Sequence, residues 1–155
     1  MSIDETYDRR DARRVLEEEH HALRTVGRWL RELLLQNARG VLDAPRVRTL
    51  TAFLDDFRGE LVVHFEREEA RTERFLTETR AVAEDWAWIQ EDHARILAEM
   101  DALRQRFAVA VQASRMPRIE HLTDFLLLLE RHERREQETI AEVWLSHERR
   151  RRPNP

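Results

Sequence analysis

Apolar residues recur at steps of three and four along nearly the whole chain, and this spacing divides it into four amphipathic helices. From about Asp8 to Asn37 the stripe is Leu16, Leu23, Val26, Leu30, Leu33 and Leu34, and Asn37-Ala-Arg-Gly40 supplies a stop. Asp43-Ala-Pro45 reads as the next start, with Asp as N-cap and Pro in the first turn. The second helix then runs to about Thr77 on Leu50, Phe53, Leu54, Phe57 and Leu61. A third carries Trp86, Ile89, Ile96, Met100, Leu103 and Phe107, and ends before Ser114-Arg-Met-Pro117. The fourth carries Ile119, Leu122, Leu126, Leu129, Ile140 and Val143. No segment alternates as a strand would. Four helices of similar length with short links pack as an up-down-up-down antiparallel bundle, so the expected fold class is all-α. A chain of 155 residues suits one domain, expected over 1–148, with Arg149 to Pro155 as a basic flexible tail.

Polar residues interrupt these stripes at a few places. His20 lies between Leu16 and Leu23, whereas the adjacent His21 aligns with Glu17, Arg24 and Arg28 on the polar side. His64 and Glu68 continue the second stripe one turn apart, and His93 breaks the third. His132 and Glu136 repeat the His-x-x-x-Glu spacing on the fourth. Burying a lone carboxylate costs several kcal/mol as a rough figure, so Glu68 needs a positive partner inside the protein. At about 1.5 Å per residue, His20 and His64 both lie roughly 26 to 28 Å from the first connection. The corresponding distances for His93 and His132 differ by about 9 Å, which early fraying of the third helix or a longer link must absorb. Four His and two Glu thus converge on one layer, a nitrogen and oxygen donor set suited to iron, manganese or zinc. The two Glu can each bridge two ions while the four His cap the pair.

Composition narrows the alternatives. With no cysteine, thiolate metal sites, disulfides and cysteine nucleophiles are excluded. Three Gly, four Pro and a 37% charged fraction favour long helices over strands. The 27 basic residues are all arginine and are spread over every helix against a net charge of −4, so nothing announces nucleic acid. No apolar run of membrane-spanning length and no signal peptide is visible, and the expected address is the cytoplasm. His121 and His147 stand apart: the first is off the best stripe, and the second lies about 22 Å beyond His132 at helical rise.

The set Glu19-His20, His64-Phe65-Glu66-Arg67-Glu68-Glu69, Asp92-His93 and His132-Glu133-Arg134-Arg135-Glu136 is similar to the hemerythrin-like HHE cation-binding family. The resemblance covers about Val15 to Trp144. It implies a hemerythrin-like bundle with two iron ions, bridged by two carboxylates and an oxo or hydroxo group, that meets dioxygen, nitric oxide or peroxide. Its ligands would be His20, His64, Glu68, His93, His132 and Glu136. Oxygen-carrying members place a second His in the third helix, four residues after the first, where this chain has Leu97. That departure resembles the four-His, two-Glu sets of bacterial HHE proteins, including those associated with iron–sulfur repair, although the cysteine-bearing N-terminal segment of the repair proteins is missing here.

Three functions compete on these residues. The first is a di-iron protein that binds or senses a diatomic ligand within an apolar collar of Phe57, Leu61, Ile96, Leu97 and Leu129, with iron donation as its variant. The second is a peroxidase-like di-iron enzyme, for which no acid or base beyond the ligands is evident and the single tyrosine, Tyr7, precedes the first helix. The third is a structural or signalling bundle holding zinc or no metal, with Trp29, Trp88 and Trp144 facing a protein partner.

Overall fold

The computed structural model describes residues 3–37, 44–79, 86–113, 115 and 117–151. Among these residues there are four helices and no strand: α1 (Ile3–Asn37), α2 (Ala44–Thr79), α3 (Ala87–Gln112) and α4 (Ile119–Arg151). No described helix is long and apolar enough to cross a membrane. The Ala38–Gly40 stop, the Asp43 cap, Ser114, Met116 and residues 152–155 lie outside the described residues, as do the side chains of Tyr7, Leu16, Leu33, Leu34, Ile119, Val143, Trp144 and His147.

Helix ends differ from the expected ones for local reasons. α1 begins at Ile3 instead of Asp8, and its early Asp4 and Glu5 are of the sign that suits a helix N-terminus. α4 continues through Arg149 and Arg150 to Arg151, so the expected tail is helical at its start. Arginine is a good helix former, which carries the helix past the expected boundary. Trp86 stands at the N-cap of α3 with φ −120° and ψ −9°, one residue outside the helix.

The chain divides into two compact units, Met1–Val41 and Leu42–Pro155. In the first, His20, Leu23, Gly27 and Leu30 form the buried stripe of α1, while His21, Arg24 and Arg28 are exposed. Of the adjacent histidines, His20 is therefore the inward one.

In the second unit α3 packs against both α2 and α4. Contacts along α2 and α3 run in opposite order. Arg58 reaches Asp101 at 2.6 and 3.0 Å and Asp55 pairs with Arg104, whereas Glu68, further along α2, meets His93, earlier on α3. The two helices are antiparallel. α4 returns beside α2 in the same direction, Phe57 against Phe125 with ring centroids 6.3 Å apart and Phe65 against His132 at 5.7 Å. Leu54, Phe57, Leu61, Ile96, Met100, Leu103, Leu122 and Leu129 make the core of this unit. α3 ends at Gln112 and α4 begins at Ile119, and His93 and His132 meet despite the expected offset of about 9 Å. Ala113 N–H donates to Val109 O and Arg115 N–H to Ala110 O at 2.8 Å, wrapping the end of α3 before the buried Pro117 leads into α4.

Candidate metal centre

His64 and Glu68 leave α2 one turn apart, and α3 and α4 bring His93 and His132 to the same depth. All four side chains are at least 95% buried. His64 Nε2 lies 2.8 Å from Glu68 Oε1, on one side of the carboxylate. On the other side Glu68 Oε2 is 3.0 Å from His93 Nε2 and 3.8 Å from His132 Nε2. The two Nε2 atoms are 3.1 Å apart. One carboxylate therefore divides its oxygens between two sets of imidazoles, which supplies the positive or cation-binding partners that a buried Glu requires.

The spacing could accommodate one ion. Donors about 2.0 to 2.2 Å from a single cation stand roughly 3 to 3.6 Å from each other, close to the separations among Glu68 Oε2, His93 Nε2 and His132 Nε2. Two neutral imidazoles turned so that both Nε2 lone pairs face a carboxylate repel one another unless a cation sits between them. A proton can take that place. Burial lowers the pKa of His93, but hydrogen bonds to Glu68 and Glu69 and the charges of both outweigh it, and the group is held above the ordinary histidine value.

The rings are wedged by aromatic neighbours. Phe65 stacks on His93 at 4.0 Å with 10° between planes and meets His132 edge-on. Trp88 stands edge-on to His132 at 5.9 Å, and the Arg135 guanidinium lies 3.9 Å over the Trp88 ring. Phe57, Leu61, Ile96 and Leu129 of the expected collar are buried, and Leu97 is half-buried.

Comparison with protein-family profiles, with curated proteins and with solved structures finds no match to this chain.

Four of the six expected ligands, His64, Glu68, His93 and His132, are thus buried together, and of these Glu68, His93 and His132 could hold a metal ion, with His64 at the other oxygen of Glu68. Glu136 is also buried, one turn beyond His132 on α4. His20 belongs to the other unit, on the buried stripe of α1. His121 instead faces a groove beside Arg106 and Asp124.

Three residues around the cluster escaped the sequence reading as functional positions. Glu69 Oε1 accepts from His93 Nδ1 at 2.8 Å, Asp92 Oδ2 stands 3.5 Å from His132 Nδ1, and Phe65 supports both rings. Each directly follows or precedes a predicted ligand in sequence, and that adjacency was the available signal. Glu133, next to His132, is a further buried carboxylate.

Proposed function

We propose that this chain is a non-haem di-iron protein of the hemerythrin-like HHE type, which binds or senses dioxygen, nitric oxide or peroxide. The observation that carries the reading is the division of Glu68, with His64 at one oxygen and His93 and His132 at the other, as a carboxylate bridging two ions requires. In this reading the fold is an up-down-up-down bundle, and His20 and Glu136 would complete the ligand set. The resemblance of the full His and Glu pattern to the HHE family favours iron over zinc or manganese.

Iron would supply an open coordination position and the redox chemistry for a small oxygen or nitrogen ligand. The protein's part is to hold neutral imidazoles and ionised carboxylates in place and to keep bulk water out with Phe57, Leu61, Ile96 and Leu129. Leu97, where oxygen carriers have a further His, leaves the site more open than theirs. Binding or sensing fits that openness better than reversible carriage.

The test is optical. Protein loaded with Fe²⁺ without oxygen should be nearly colourless and should develop near-ultraviolet charge-transfer absorption on exposure to O₂, and a distinct visible spectrum with NO. His132→Ala should abolish both responses. Iron-loaded protein whose spectrum neither gas changes would contradict the proposal.

A further inference from the structure

The buried imidazoles are gripped from behind as well as from within. On α2, Glu68 and Glu69 are consecutive, about 100° apart around the helix axis. Both reach the same ring: Glu68 meets His93 Nε2 at 3.0 Å and Glu69 meets His93 Nδ1 at 2.8 Å. On α3, Asp92 adjoins His93 in sequence but turns toward α4, where its Oδ2 stands 3.5 Å from His132 Nδ1. That nitrogen is buried and makes no hydrogen bond among the described residues, so Asp92 is the carboxylate facing it. Asp92 is itself held, by Arg95 at 2.8 Å and by Arg135 at 3.9 Å, the same Arg135 that covers Trp88. The pattern passes from helix to helix: α2 steadies the histidine of α3, and α3 steadies that of α4.

We propose that Glu69 and Asp92 are positioning residues that turn the Nε2 atoms of His93 and His132 toward a common divalent cation and strengthen their hold on it. A neutral imidazole has one N–H and one lone pair. A carboxylate at Nδ1 favours the tautomer with its N–H there, which leaves the lone pair on Nε2, where the two rings and Glu68 meet. The same carboxylate draws the N–H proton toward itself and makes Nε2 a stronger donor. Glu69 is half-exposed, so replacing it alters the hydrogen bond without opening the core. This inference rests on the reading of Glu68, His93 and His132 as metal ligands.

The experiment compares wild type, Glu69→Gln and Asp92→Asn, each freed of metal and titrated with Co²⁺ against a chromophoric chelator. The variants should bind Co²⁺ about ten- to a hundredfold more weakly, with the same number of ions per chain at saturation. In metal-free Glu69→Ala, at a pH high enough that the ring is neutral, long-range ¹H–¹⁵N spectra should show His93 losing the preference for the Nδ1–H tautomer that wild type has there. A purely structural role would instead lower the melting temperature of the metal-free variants and leave the tautomer in place. Wild-type affinity in Glu69→Gln, or an unchanged His93 tautomer in Glu69→Ala, overturns this inference alone. A wild-type chain that binds no Co²⁺ overturns the metal reading, and this inference with it.

Discussion

Glu68 occupies a position where an unmatched carboxylate would cost several kcal/mol as a rough figure, and imidazoles from three helices meet it there. His64, Glu68, His93 and His132 were legible in the sequence because each breaks an apolar stripe, and a polar group on a buried face must find a partner. Glu69, Asp92 and Phe65 were not. A carboxylate one residue from a buried position looks like part of the solvated face, and only the approach of a neighbouring helix turns it inward. The metal-free cluster has a pH dependence with a definite sign. Against the lowering effect of burial, hydrogen bonds to Glu68 and Glu69 raise the folded pKa of His93 above the ordinary histidine value of about 6.5, so its contribution to stability is fully present below that value and lost as pH rises through the folded one. Chelator-treated wild type should therefore lose more melting temperature as pH rises above the ordinary histidine value than His93→Gln does. Equal slopes for the two proteins would count against this account of His93.

At the scale of the elements, helix interiors were readable from period alone and helix ends were not. The α3 stripe from Ile89 to Phe107 is buried at each apolar position expected of it. In contrast, α1 starts five residues early and α4 runs three residues into the expected tail, because end positions depend on weak preferences of one or two residues. The pairing of α2 with α3 has two parts of unequal weight. Ile96 is fully buried, and Ile96→Ala should cost about 2 to 5 kcal/mol. Asp101 joins Arg58 and Arg104 at the surface, and its carboxyl is held below the usual range chiefly by the hydrogen bond from Arg58. Asp101→Asn should cost only about 0.2 to 1 kcal/mol, and less still at high salt. Urea unfolding of the metal-free proteins compares the two, and a larger loss in Asp101→Asn would reverse the assignment of what holds this helix pair.

For the whole molecule, an all-helical fold was legible from the absence of alternation and the scarcity of Gly and Pro. The division into Met1–Val41 and Leu42–Pro155 was not, because it falls at the expected connection between the first two helices and nothing in the composition sets that connection apart from the others. α2, α3 and α4 alone assemble His64, Glu68, His93 and His132, so the second unit carries a set of its own that could hold a metal ion. Metal bound only to the folded chain stabilises it, which makes occupancy a property of the entire protein. The most direct measurement is iron per chain, by elemental analysis of purified protein after anaerobic loading with Fe²⁺ and removal of loosely bound metal. The proposed centre requires close to two irons per chain, falling sharply in Glu68→Ala. Less than one iron per chain, or the same content in Glu68→Ala, would contradict it.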